Sequence, residues 1–364
     1  MKNFLNALKE WLSKQAFTTQ DHFTGLKEDD RPLEQKQKDF VHEEREFPQA
    51  SNPFSNPTIT QSPYPYENQN STSSCVPHGV GLALAIERKN DTGQFVRLAP
   101  AFPYRLRSNY PGEGSSPFQM FERYSKFGAP LYTTLPTPQY EQELNKLILT
   151  QQMYIEAEIF KGKEYWVITR FNDIQTLANV AQQGHGVPIT IFAMYDEYSI
   201  QTPVIKYPNL TWAQAEIRHE VCILPNSGFI KDGVRYVVIQ DSAWFGGWKY
   251  HYLSEDFIKA RCYYAAYWDT VSVIGQGPKP KYTFTKVLRY GSVGPEVKKM
   301  QELLISEGLL PSDLATGNYY GRTLAGVNAF QNKYAKEILL PLGLDAPTGV
   351  WGSASIAMAN KLCN

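Results

Sequence analysis

A run of glycine, proline and lysine, GQGPKPK at residues 275–281, constrains the organisation of this 364-residue chain more than any other feature. A segment so rich in glycine and proline, without large apolar side chains, is typical of a linker between domains. We therefore predict one folded domain over residues 67–274 and a smaller one over residues 286–364, joined by a linker at 275–285.

Residues 1–66 form an N-terminal arm in this interpretation. Apolar side chains recur at helical spacing in the first fifteen residues, but charges interrupt them, which favours an amphipathic helix over a secretory signal. We expect this helix to pack on its own protein; docking on a membrane surface or a partner is the alternative. Five prolines in residues 48–66 predict an extended tether.

Helical patterns dominate the first half of residues 67–274 and strand patterns the second half. The predicted elements are helices that begin at Ser74 or Cys75 and that cover 118–127 and 174–182, and strands over 187–193, 219–224, 234–240 and 269–274. Helices followed by a strand-rich half predict an α+β fold.

The composition excludes several functional classes. Lys+Arg and Asp+Glu both number 36, so no basic stripe is available for nucleic acid. No apolar run reaches the roughly 20 residues needed to span a membrane. The four cysteines show no close pairing, which argues against a zinc site and a disulfide scaffold. We expect no metal, no cofactor, no nucleic-acid partner and no transmembrane segment.

Cys75 stands at the start of a predicted apolar helix. Ser74 is a residue type that caps helices, and Pro77 suits a first turn. The positive end of a helix dipole favours the thiolate, which is the nucleophilic form of cysteine. A cysteine in this position is more often a core residue, so its neighbours decide the interpretation.

His219 opens a predicted strand, and Asp241 closes another one 22 residues later. Cysteine-based hydrolysis needs a base for the thiol proton and a third group that orients the base. Two adjacent strands that end at the same level would bring these two side chains together.

These segments, taken together, resemble the papain family of cysteine peptidases. The resemblance is carried by Asn68-Gln69 six residues before Cys75, by the strand that begins at His219, and by D-S-A-W at 241–244. The pieces follow the family's order, and that order makes the match specific.

The resemblance implies a two-lobed fold, with a helical lobe and a strand-rich lobe. It implies an acyl-enzyme at Cys75, with His219 as base and then acid, and Asp241 as the orienting group. Gln69 and the backbone N–H of Cys75 would hold the oxyanion.

The substrate cleft is the least specific part of the resemblance. It implies that Gly112, Gly114 and Trp244 contact substrate. The sequence departs from the family at Val76, where a tryptophan is usual, and at Thr72, where a disulfide cysteine often stands. Asp241 replaces the usual asparagine, and a carboxylate can still orient an imidazole. The remaining histidines of this domain, His78, His185 and His251, are interpreted as structural or surface residues.

Residues 286–362 resemble the three-helix peptidoglycan-binding domain of bacterial and phage wall enzymes. The motifs are L-R-Y-G-S-V-G at 288–294 and A-F-Q at 329–331. The resemblance implies binding of peptidoglycan, while a bundle that only spaces or docks the enzyme is the alternative. The candidate contacts lie in or beside glycine turns: Arg289, Tyr290, Tyr319, Tyr320, Arg322 and Trp351.

The sequence therefore predicts a papain-like cysteine peptidase that acts on protein or on wall peptide. We expect it to be extracytoplasmic, at a bacterial cell wall or in a phage virion. Residues 1–66 are a possible inhibitory propeptide, as is common in the papain family. The alternative is a catalytically retired structural or binding protein, such as a virion component.

Overall fold

A computed structural model describes residues 26–27, 52–59, 62–271, 279–310 and 314–363. The chain forms two compact units, of which the second takes in residues 272–364 together with Phe127–Thr134 and Ile148–Lys161. The second unit thus draws two segments from the range predicted as one domain. The predicted N-terminal helix and the G-Q-G-P part of the linker lie outside the described residues.

The described helices, in chain order, are α1 (Cys75–Thr92), α2 (Ala101–Arg105), α3 (Pro117–Phe127), α4 (Glu141–Lys146), α5 (Gln151–Ala157), α6 (Ile174–Gln182), α7 (Tyr195–Tyr198), α8 (Glu255–Arg261), α9 (Pro295–Ser306), α10 (Gly321–Lys333), α11 (Ala335–Ile338) and α12 (Ser353–Cys363). The strands are β1 (Gly162–Val167), β2 (Val187–Ala193), β3 (Ile217–Ile223), β4 (Phe229–Lys231), β5 (Val234–Gln240), β6 (Tyr250–Ser254) and β7 (Cys262–Val271). In the part of the chain that the structure describes, no helix is both long and apolar enough to cross a membrane.

The strands of the first unit form a single antiparallel sheet in the order β1-β7-β2-β3-β5-β4, with β6 also paired to β5. Cys222 of β3 lies opposite Gln240, the last residue of β5. Asp241 therefore leaves the sheet beside the part of β3 that contains His219, which explains how residues 22 positions apart meet.

Helix α1 packs in the interior of the first unit and holds Cys75 at its first residue. Its Gly81 leaves room for α3, because a Cβ at this position would lie 2.2 Å from the Tyr124 hydroxyl. That hydroxyl donates to the carbonyl of Pro77 at 2.8 Å. Gly93, in the left-handed region, ends the helix with a hydrogen bond to Lys89. The close contact with α3 therefore fixes the position of the helix that begins with Cys75.

Two glutamine side chains tie the glycine turns of the second unit to its helices. Gln301 of α9 accepts a hydrogen bond from the Gly317 N–H at 2.8 Å and donates to Thr323 at 2.8 Å. Gln331 of α10 accepts from Gly349 at 3.1 Å. Both glutamines are thus structural, because they accept hydrogen bonds from backbone N–H groups of the glycine turns.

Candidate active site

Cys75 is positioned by the segment that precedes α1. Ser74 does not accept a hydrogen bond from the first helical turn, in contrast to the capping expected from the sequence; its hydroxyl bonds Thr72 at 2.6 Å instead. The N–H of Ser73 donates to the Glu141 carboxylate at 2.9 Å. Cys75 is the first residue of α1 and therefore lies at the positive end of the helix dipole.

The structure brings Cys75, His219 and Asp241 together. His219 Nε2 lies 2.8 Å from Asp241 Oδ1, and a hydrogen bond joins the same ring to Cys75. Both partners of the His–Asp pair are buried. Burial alone would lower the pKa of His219, but the charge of Asp241 and the hydrogen bonds to Asp241 and Cys75 outweigh it and raise that pKa. Against the effect of burial, His219 holds the pKa of Asp241 below its usual range.

Further donors surround the carboxylate of Asp241. Tyr198 donates its hydroxyl proton to Oδ2 at 3.0 Å, and the Ala243 N–H donates to Oδ1 at 2.7 Å. His251 Nε2 lies 3.4 Å from Oδ2. Tyr198 was not among the residues predicted from sequence, and His251 was interpreted there only as a structural or surface residue. The one sequence feature that could have indicated such partners is Asp241 itself, because a buried carboxylate requires several polar partners.

Gln69 links the segment before α1 to the residue after Asp241. Its Nε2 donates to the Thr72 carbonyl at 2.8 Å, and its Oε1 accepts from the Ser242 hydroxyl at 2.8 Å. Its backbone N–H donates to the Ser242 carbonyl at 3.0 Å. An amide nitrogen carries two protons, so one remains for another acceptor.

A cleft of about 310 Å³ adjoins Gln69, and Trp244 forms part of its wall. The Trp244 ring is 43% exposed, and the Lys249 ammonium lies 4.9 Å from its centre. Phe245, rather than Trp244, covers the His219 ring, at 5.1 Å between ring centres. Trp244 was the residue predicted from sequence, whereas the adjacent Phe245 is the one that shields the His219 imidazole.

The predicted cleft segment is held by a polar network. The N–H of Gly114 donates to the Tyr104 hydroxyl at 2.9 Å, and that hydroxyl donates to Glu141 at 2.9 Å. Arg107 donates to the Gly112 carbonyl at 2.7 Å. Because Glu141 also accepts from Ser73, one carboxylate anchors both the glycine segment and the approach to Cys75.

Two residues of the N-terminal arm pair with this glycine segment. Leu26 forms a parallel bridge with Ser115, and the Lys27 N–H donates to the Ser115 carbonyl at 3.0 Å. The Leu26 side chain is buried. Cys75 and His219 are each only 1% exposed in this arrangement.

The six candidate wall contacts of the second unit fall into a buried group and an exposed group. Tyr319 and Trp351 are fully buried: Tyr319 donates to the Gly349 carbonyl at 2.6 Å, and Trp351 packs on Phe330 at 4.9 Å. They belong to the core, so we remove them from the candidate contacts. Arg322, which is half exposed, pairs with Glu158 at 3.2 Å.

Arg289 and the tyrosine pair Tyr290–Tyr320 form the exposed remainder of that set. Tyr290 is 62% exposed and Tyr320 is 53% exposed, and their ring centres lie 5.9 Å apart.

His78 and His185 occupy structural positions. His78 Nδ1 donates to the Ser74 carbonyl at 2.7 Å, and burial lowers the pKa of His78 to about 4, so the ring is neutral. His185 pairs with Glu87 at 2.7 Å. Both agree with the interpretation from sequence.

Comparison with known proteins gives a likeness of fold alone. No family model and no curated protein matches the sequence. Among solved structures, xylellain, a cysteine protease from Xylella fastidiosa, aligns with a TM-score of 0.55 at 17% identity, over 69% of this chain and 97% of xylellain.

Two further structures align with TM-scores below 0.5. Digestive procathepsin L 3 of Tenebrio molitor scores 0.47 at 14% identity, over 70% of this chain and 78% of its own. The bromelain protease of Ananas comosus scores 0.45 at 15%, over 57% and 93%. The alignment with xylellain shows that the mixed helix and sheet structure has the fold of a cysteine protease, in agreement with the predicted papain-like α+β fold.

Proposed function

We propose that the first unit is a cysteine peptidase in which Cys75 is the nucleophile, His219 the acid–base group and Asp241 the group that orients the imidazole. The observation that supports this most is the position of the His219 ring, which lies 2.8 Å from Asp241 and close enough to Cys75 for the thiol to act on its pKa. The raised pKa of His219 favours the imidazolium that a thiolate–imidazolium pair requires.

The proposed reaction proceeds through a thioester. The Cys75 sulfur attacks the peptide carbonyl carbon, and the oxygen takes up the negative charge beside the Cys75 N–H and the second Nε2 proton of Gln69. The C–N bond breaks as His219 gives its proton to the leaving amine. His219 then takes a proton from water, the hydroxide attacks the thioester, and the carboxylate product leaves Cys75.

We propose that residues 1–66 restrain this activity. The backbone pair between Lys27 and Ser115 lies on the glycine segment assigned to substrate, and Cys75 is 1% exposed. In this proposal an incoming peptide pairs with the same Ser115 carbonyl and reaches the sulfur. Release of the arm would supply both.

We propose that the second unit binds peptidoglycan, which places the chain at a bacterial wall or in a phage virion. Support comes from the resemblance of its motifs and from the exposed set of Arg289, Tyr290 and Tyr320. Tyrosine faces suit sugar rings, and an arginine fork suits peptide carboxylates. The substrate would be a peptide bond, in protein or in the stem peptides of the wall.

Two assays test this proposal. The first measures cleavage of casein and of purified sacculi by protein that lacks residues 1–60, with the Cys75→Ala variant of the same protein as the inactive control; cleavage by both proteins or by neither would refute the peptidase. The second is co-sedimentation with sacculi. Tyr320→Ala should weaken it, whereas Tyr263→Ala, an exposed tyrosine of the first unit, should not. Equal sedimentation of both variants would refute the assigned surface.

The burial of Cys75 favours one second candidate, a protein that keeps the fold as a binding or structural component without catalysis. The two functions differ once the arm is removed. A peptidase gains a reactive thiol, whereas a retired enzyme keeps an inert one.

A further inference from the structure

The aspartate at position 241 creates a charge problem in the site. A Cys75 thiolate and a His219 imidazolium cancel each other, so the Asp241 carboxylate adds one net negative charge. Asp241 is 0% exposed. An uncompensated buried charge is strongly unfavourable, and an ion pair is the usual remedy.

His251, on β6, lies where a compensating charge would be needed. Its Nδ1 is 3.0 Å from the Ile200 carbonyl oxygen, and a carbonyl only accepts, so Nδ1 carries a proton. Its Nε2 lies 3.4 Å from Asp241 Oδ2. In a neutral ring Nε2 would be a lone pair, and two acceptors would face each other inside the protein.

The surroundings of His251 leave Nε2 no other partner among the described residues. This nitrogen is buried and makes no hydrogen bond of normal geometry there. A proton on Nε2 turns the contact with Oδ2 from two facing acceptors into an ion pair.

Tyr198 fixes this arrangement. Its ring stacks on His251 with centres 4.4 Å apart and planes at 21°, and its hydroxyl donates to the same Oδ2 at 3.0 Å. The titratable groups next to His251 are Tyr198 and Asp241. His219 lies on the other side of the Asp241 carboxylate, and the charge of that carboxylate also acts on Tyr66. Of these four groups only His219 can carry a positive charge, and that charge is already matched by the Cys75 thiolate.

We propose that His251 is a positioning residue, held as a cation, which completes a His219–Asp241–His251 array and cancels the charge that Asp241 brings. It acts on the reaction through Asp241 and does not touch substrate. The inference rests on the proposed function only where activity is the readout.

A double-mutant cycle tests the array. His251→Gln leaves Asp241 uncompensated, Asp241→Asn leaves His251 uncompensated, and the double variant is neutral again. We expect each single change to slow alkylation of Cys75 by iodoacetamide about tenfold, and the double variant to recover to within about threefold of the wild type. Losses that simply multiply in the double variant would overturn the proposal.

The pH profile gives a readout that a purely structural role would not move. Without the His251 cation, the field of Asp241 holds the His219 proton more tightly, so the alkaline limb of the profile should shift to higher pH in His251→Gln. The matched control is His185→Gln, which breaks another buried His–carboxylate pair. It should lower stability and leave the profile in place; an equal shift in both variants would contradict the array.

Nitrogen-15 NMR of histidine-labelled wild-type protein at pH 7 keeps the test independent of activity and of variant folding. Both nitrogens of His251 should show imidazolium shifts; a neutral pattern overturns the inference. An inert Cys75 in protein that lacks residues 1–60 would refute the peptidase, while NMR of the full chain would still decide the state of His251.

Discussion

Glu220, the residue after His219 in β3, allows a test of how strongly the interior of the first unit disfavours charge. It is 0% exposed; Oε2 accepts from the Thr190 hydroxyl at 2.5 Å, and Oε1 has no hydrogen-bond partner in the described part of the chain. Burial raises the pKa of Glu220 to about 8. The perturbation is Glu220→Gln, which keeps the shape and removes the titration.

The raised pKa of Glu220 determines the sign and the size of the change in unfolding free energy with pH. Between the ordinary pKa of 4.5 and about 8, the native protein keeps a proton that the unfolded chain has lost. The stability that the neutral carboxyl provides is complete below the first value and disappears as the pH rises to the second. At about 1.4 kcal/mol per pKa unit, the change is on the order of 4 to 5 kcal/mol. The variant should lack this loss.

The assay is urea unfolding followed by tryptophan fluorescence between pH 5 and pH 9. The free energy of unfolding of Glu220→Gln, relative to the wild type, should rise by several kcal/mol between pH 5 and pH 8 and then level off. Glu122→Gln, at an exposed position of α3, is the control and should show no such trend. A difference in unfolding free energy that does not change with pH would show that burial does not raise the pKa of Glu220.

Three further predictions concern access, packing and the oxyanion. Deletion of residues 1–60 should speed peptide cleavage, because the Lys27–Ser115 pair is lost; unchanged turnover would contradict the restraint. Gly81→Ala should lower the free energy of unfolding by about 1–3 kcal/mol, since its Cβ would meet the Tyr124 hydroxyl; an unchanged melting temperature would contradict this contact. Gln69→Ala should lower kcat about 10²- to 10³-fold with a smaller change in KM, and an equal rise in KM alone would exclude the oxyanion role.

Strong periodicity made part of the fold predictable. Helix α6 and strands β2 and β5 match their predicted bounds, and β3 begins two residues before its prediction. Strands β1 and β6 were missed because their mixed polar and aromatic residues carry no clear alternation, and only their pairing with β7 and β5 makes them strands. The last strand begins at Cys262, well before the predicted 269, because pairing with β2 extends it.

Membership of the site was predictable where a motif carried it and not where packing decides it. Cys75, His219 and Asp241 meet as their order in the sequence predicted. Tyr198 and His251 come from separate elements, and nothing local in the sequence indicates that they face Asp241.

The second unit gave the opposite error. Tyr319 and Trp351 were chosen because they stand beside glycine turns, yet both are fully buried. Proximity to a turn does not determine which side of the backbone a ring occupies.

The most direct test of the central claim is the rate at which iodoacetamide modifies each cysteine at neutral pH, read by peptide mass spectrometry on protein with and without residues 1–60. Cys363, which is partly exposed, is the internal control, and burial raises the pKa of Cys222 and of Cys262.

We expect Cys75 to be modified first once the arm is removed, and His219→Ala to slow this reaction at least about tenfold without affecting Cys363. Labelling of Cys75 that is no faster than that of Cys363 and does not depend on His219 would contradict the assignment of Cys75 as an activated nucleophile.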